Sequence, residues 1–95
     1  MKKGKFNIRM MSYGETRLEE VDGYYIEICG IRCFTHKVRG NYWSVSNFAT
    51  GMHMITSKSR KDAIAKCKNR LEEVNLTDVQ KIIQSAITNY GIANE

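Results

Sequence analysis

An α+β fold, an antiparallel sheet of three to five strands with two C-terminal helices packed on one face, is predicted by three features of this sequence. Short runs that alternate apolar and polar residues, broken by glycine-bearing reversals, occupy roughly residues 5–56. Helical apolar spacing replaces that alternation over about 59–74 and again over 77–90. Because strands come first and helices last, the sheet is expected to pair neighbouring strands antiparallel rather than through helical crossovers. The 95 residues suit one domain, 1–95, with a modest core.

Phe6, Ile8 and Met10 alternate with polar neighbours and start a strand. Thr16–Val21 and Tyr24–Cys29 flank Asp22-Gly23, a hairpin signal that predicts two further strands. Cys29-Gly30 reads equally as a bulge or as another turn. Residues 34–74 then read as three strands and a helix. Gly40-Asn41 suits a two-residue hairpin loop, which would set Arg39 opposite Tyr42, Val38 opposite Trp43, His36 opposite Val45 and Phe34 opposite Asn47. One face of that ribbon is then a core candidate. The other carries Thr35, Lys37, Arg39, Tyr42, Ser44 and Ser46.

Phe48–Met52 offers a second reversal with Gly51 at the left-handed position, and Met52–Thr56 the next strand. Ser59 is an N-cap with Asp62 in the first turn, and Ile64, Cys67, Leu71 and Val74 repeat at helical spacing. Thr77–Gln80 reads as a capping box for a second helix, with Gly91 as its stop. Its stripe of Val79, Ile82, Ile83, Ala86, Ile87 and Tyr90 is broad for so small a body, so a homodimer through this helix is a second use for it.

Composition narrows the function classes. No apolar run approaches the roughly 20 residues of a bilayer span, and no apolar segment follows the basic start, so a cytoplasmic, non-membrane protein is expected. Three cysteines, Cys29, Cys33 and Cys67, suggest reduced thiols. Cys29, Cys33 and His36 do not have zinc-knuckle spacing, and on a strand Cys33 and His36 would face opposite ways, so no metal is expected. His36 and His53 read as core histidines. No nucleophile, base and orienting carboxylate declare themselves, and no phosphate-cradling glycine loop is present, so neither an enzyme nor a cofactor is expected.

Charge is the more informative feature. The formal net charge is +5. Residues 1–57 hold eight Lys/Arg against five Asp/Glu, 58–74 six against three, and 75–95 one against two. Lys58 and Arg60 precede or open the first helix where its N–H groups point outward, Lys61 and Lys68 fall on one flank of its apolar stripe, and Lys66 and Arg70 on the other. With Lys37, Arg39 and Tyr42 they compose a candidate surface for DNA or RNA phosphates and bases. The plainer reading is that lysines beside an amphipathic stripe solvate it.

The run MITSKSRKDAIAKCKNRLEEV resembles the end of a double-stranded RNA-binding domain, in which a Ser-Lys-Lys-x-Ala helix start implies phosphate contact. It is similar too to the three-strand-plus-helix arm-binding module of tyrosine-type recombinases, whose sheet enters the DNA major groove. Either resemblance implies phosphate contacts by Lys58, Arg60 and Lys61. The alternative expectation is a phage- or mobile-element-encoded protein that inhibits a host defence nuclease by docking, anti-CRISPR-like. Its anchors would be Tyr24, Tyr25, Tyr42, Trp43 and Met52.

Overall fold

The structure, a computed structural model, describes residues 2–95. Met1 lies outside the described residues. Strands β1 (Lys2–Ser12), β2 (Glu15–Ile28), β3 (Ile31–Lys37), β4 (Trp43–Asn47) and β5 (His53–Ser57) form one antiparallel sheet in sequential order, followed by helices α1 (Arg60–Glu73) and α2 (Leu76–Tyr90). The predicted α+β architecture is therefore present, at the upper end of the expected strand number.

Turn chemistry decides where each strand ends. Tyr13 and Gly14 take left-handed φ of 51° and 80° and reverse the chain between β1 and β2, while Cys29 and Gly30, at 52° and 78°, do so between β2 and β3. Asp22-Gly23, the expected hairpin, is instead interior to β2, paired with Lys5 and Gly4. Gly23 serves a close approach rather than a turn, since a Cβ there would lie 2.5 Å from the Thr35 carbonyl oxygen and 3.3 Å from Phe6.

The β3–β4 register differs from expectation by one residue. Arg39–Asn41 form a turn in which Gly40 and Asn41 take left-handed φ, so the loop holds three residues rather than two, and the Val38 N–H donates to the Tyr42 carbonyl at 2.8 Å. Lys37 then opposes Trp43, Thr35 opposes Val45 and Cys33 opposes Asn47. A one-residue slip exchanges the faces of β4. Trp43 and Val45 therefore share a face with Cys33 and Lys37, and Ser44 and Ser46 pass to the side of Phe34 and His36, where both serines are only 1% exposed. The expected open face of hydroxyl and basic groups does not exist.

Two apolar clusters occupy the two sides of β3–β4. Under α1 lie Ile28, Ile31, Cys33 and Val45 with Ala63, Cys67 and Leu71, so the stripe predicted for this helix is buried in its middle, whereas Val74 stays exposed. On the other side Phe6, Phe34 and Phe48 pack together, Phe6 stacked on Phe34 at 4.8 Å. Because β1 pairs with β2 and also donates from Arg9 N–H to the Gly51 carbonyl at 2.8 Å, the sheet coils until its first strand reaches the β4–β5 loop. Gly51, at φ 71°, sits in that contact with no room for a Cβ, which would be 2.7 Å from the Asn7 carbonyl oxygen.

Both helices are capped. Ser59 Oγ accepts from the Asp62 N–H at 3.0 Å, as predicted. The cap of α2 falls to Asn75, not Thr77, because the Asn75 side chain accepts from the N–H groups of Thr77 and Asp78. Gly91 closes α2, donating to the Ile87 carbonyl at 2.7 Å. Among the described residues no helix is long and apolar enough to cross a membrane.

Candidate nucleic-acid interface

One end of the sheet gathers the β3–β4 turn, the start of β4, the end of β5 and the first turn of α1, since Trp43 pairs with both Lys37 and Ser57. Onto this end the chain delivers Lys37, Arg39, Tyr42, Trp43, Lys58, Arg60 and Lys61. The Arg60 guanidinium lies 4.4 Å from the Tyr24 ring centroid and 5.6 Å from that of Trp43, and the Lys37 ammonium is 6.0 Å from Trp43. Tyr24 and Trp43 are themselves in contact, with centroids 6.3 Å apart. Cations over aromatic faces are attracted by the ring quadrupole, which fixes Arg60 across the two rings. Tyr42, at the turn, leaves half of its surface in solvent, 50% exposed.

Carboxylates at this end are already engaged. Asp62 receives a hydrogen bond from Ser57 Oγ and lies 3.2 Å from the Lys66 ammonium. The Ser57 hydroxyl, then Lys66, hold its carboxyl below the usual range. Lys66 also donates to Ser57 at 3.2 Å, which ties it into the sheet-to-helix junction. Beyond that pair, the described residues form one further ion pair, Lys5 with Asp22. Lys37, Arg39, Lys58, Arg60 and Lys61 thus form no ion pair among the described residues, although Lys58 is near enough to help hold the Asp62 carboxyl low. Lys58 and Lys61 border a shallow cleft of about 320 Å³ beside Ser59 and Asp62.

Not every candidate converges. Lys68 and Arg70 lie further along α1, Arg70 lining a small apolar cleft with Leu71 and Val74 at the opposite helix end. The five interface candidates separate into three places. Tyr24, Tyr42 and Trp43 belong to the basic end, and Met52 borders a groove beside α2. Tyr25 turns to the other side of the sheet, its hydroxyl accepting from Arg32 Nε at 3.1 Å.

Arg32 was not singled out by sequence, because its company is long-range. It stacks 4.1 Å from the Phe48 centroid and 5.5 Å from that of Tyr25, at a 440 Å³ cleft that Lys2, Lys3 and Lys5 also line. Arg9 is another such residue, a staple donating to the carbonyls of Thr50 and Gly91. Neither has a local sequence signal beyond a charge inside an alternating strand.

The thiols and histidines are structural in placement. Cys33 and Cys67 sit in the α1 core, where burial pushes the Cys33 thiol up to about 12 and the Cys67 thiol up as well, so neither is a ready nucleophile or ligand. His36 is buried and bonds Ser46 at 3.2 Å, on the face opposite Cys33. His53, expected in the core, is exposed and bonds Thr56. Among the described residues, no three His, Cys, Asp or Glu side chains are grouped to hold a metal ion.

No protein-family model, curated protein or solved structure matches this chain. The functional reading therefore rests on the geometry of the basic end.

Proposed function

We propose that the chain is a small non-enzymatic nucleic-acid-binding module whose contact surface is the basic end, not a sheet face. Lys37, Arg39, Lys58 and Lys61 meet phosphates there, and the exposed N–H groups at the start of α1 add a favourable dipole. Tyr42 offers a ring to a base, with Trp43 and Arg60 as a rigid backing. The observation that carries this reading is the convergence, from separate elements, of five cations that form no ion pair and three aromatic rings. Docking to a host nuclease is less well supported, because Tyr25 and Met52 are remote from the other anchors proposed for it.

Fluorescence anisotropy against labelled duplex DNA, duplex RNA and single strands, each over a salt series, tests the proposal. Affinity should fall linearly in log–log form as salt rises, with about 0.9 of slope for each duplex phosphate neutralised. Lys58→Ala and Lys61→Ala should each lower that slope by about one and weaken binding alike across sequences. Lys81→Ala on α2 should leave it unchanged. Absence of binding, or binding indifferent to salt, rejects the reading. Stoichiometric capture of a host protein that survives nuclease treatment would replace it with the docking alternative.

A further inference from the structure

A second gathering of cations lies away from the basic end, at the cleft of about 440 Å³ where Arg32 stands. Strand register puts this cleft at the mouth of the coil. Lys2 opposes Tyr25 and Tyr25 opposes Phe34, so Lys2, Tyr25 and Arg32 share the face of β1–β3 that carries Phe6 and Phe34. Between Lys2 and Phe6 on that face stands Gly4, so β1 sends no side chain into the space there. The opposite wall is fixed by Asn94, whose side chain donates to the Asn7 and Phe48 carbonyls at 2.9 and 2.8 Å and accepts from the Asn7 N–H at 2.8 Å. Mouths of curved sheets are common places for small ligands, and this volume falls in the range of roughly 300–1,000 Å³ that such sites occupy.

Arg32 is the fixed point of the cleft. Its guanidinium lies 4.1 Å from the Phe48 centroid and 5.5 Å from that of Tyr25, and its Nε donates to the Tyr25 hydroxyl. Both Nη groups are left without a hydrogen bond or ion pair to another described residue. The rings hold the plane, and the open Nη edge is the one that grips two oxygens of an oxyanion. Glu27 opposes Arg32 across the ladder but neither pairs with it nor lines the cleft. Of the lysines there, Lys5 is engaged by Asp22, so Lys2, Lys3 and Arg32 remain against one acidic residue, Glu95.

We propose that this mouth binds a small phosphomonoester with an aryl body, its phosphate on the Nη edge of Arg32 and beside Lys2 and Lys3. Charge selects the anion. The excess of two cations in the lining matches a phosphate monoester, which carries about −1.5 to −2 at pH 7, better than a carboxylate. The space left over is bordered by the rings of Phe6, Tyr25 and Phe48, which suits an apolar, planar body. The cleft is at the opposite end of β3 from Lys37, so this inference does not rest on the nucleic-acid reading.

Phenyl phosphate, titrated into the full chain and followed by ¹H–¹⁵N correlation spectra, tests the proposal. Shifts should centre on the amides of Gly4, Phe6, Arg32 and Phe48 and saturate with a dissociation constant below about 1 mM. Inorganic phosphate, which lacks the ring, and benzoate, which lacks the second charge, should each bind about tenfold more weakly or worse. Arg32→Lys keeps the charge but loses the paired Nη donors, and should also weaken binding about tenfold or more. Because Arg32 is exposed, that variant should keep the wild-type far-UV circular dichroism. The proposal is overturned if phenyl phosphate gives no saturable shifts, if benzoate or inorganic phosphate binds equally well, or if Arg32→Lys binds like the wild type. Shifts centred instead on Lys58–Lys61 would also overturn it, assigning the phosphate to the basic end.

Discussion

On one side of β3 and β4, Cys33 and Val45 lie beneath Ala63, Cys67 and Leu71 of α1; on the other, Phe34 lies against Phe6 and Phe48. The first side is closed by a helix adjacent in sequence to the strand it covers. The second is closed by the sheet itself, coiling until β1 meets the β4–β5 loop. The α1 side is chiefly aliphatic and thiol, with Thr35 buried there opposite Val45. The coiled side is aromatic and also buries His36, Ser44 and Ser46: Ser46 meets His36 Nε2 and the Ile55 carbonyl meets Ser44, while His36 Nδ1 has no partner. Closure by a helix draws on local apolar periodicity, whereas closure by curvature needs a glycine where the strands approach closely, as at Gly23.

The sharpest test of that difference is a pair of truncations. Phe34→Ala should cost about 3–5 kcal/mol, because the ring is fully buried and stacked on Phe6. Leu71→Ala on the α1 side should cost about 2–5 kcal/mol, at the lower part of that range if the end of α1 relaxes into the space. Urea unfolding measures both. A loss below about 1 kcal/mol for Phe34→Ala would show that the coiled side is not a packed core.

Gly23→Ala comes next. The added methyl would press on the Thr35 carbonyl and Phe6, and overpacking of this kind costs about 1–3 kcal/mol. Its specific signature is opening of the coil. Hydrogen exchange at the Arg9 amide, which donates to Gly51, should accelerate more than exchange within α1. Equal acceleration in both would mean that Gly23 is a general core position and not the bend.

These two sides were unequally legible in the sequence. The α1 side could be read because its signals are local: Ser59 caps, Asp62 follows, and Cys67 and Leu71 fall one turn apart on the buried face. The coiled side could not. Asp22-Gly23 has the composition of a hairpin loop, and only the approach of Thr35 and Phe6 reveals its other use. Gly40-Asn41 do take positive φ, 72° and 68°, but Arg39 joins the turn, and that single residue reverses which face Trp43, Ser44 and Ser46 occupy. The grouping of Lys37, Arg39, Lys58, Arg60 and Lys61 does not depend on that register, because they lie at element ends, where position follows connectivity rather than strand face. Lys68 and Arg70, placed by helical wheel alone, do not join it.

A smaller effect separates the two sides by pH. His36 is 4% exposed on the coiled side, its Nδ1 has no hydrogen-bond partner, and burial pushes its pKa below the ordinary 6.5. The folded protein therefore favours the neutral ring, while the unfolded chain takes up a proton near 6.5. Stability from this source is complete above pH 6.5 and is lost as pH falls from there toward the lower folded value. Melting between pH 7.5 and pH 5.5, a window above the ordinary carboxylate range, should show a decline that His36→Gln reduces, since glutamine can keep a bond to Ser46 without titrating. If His36→Gln declines as steeply as the wild type, the proton is taken up elsewhere and the coiled side carries no such pH cost. No counterpart is expected from the α1-side cluster, whose titratable members, the thiols of Cys33 and Cys67, are pushed upward, away from this window.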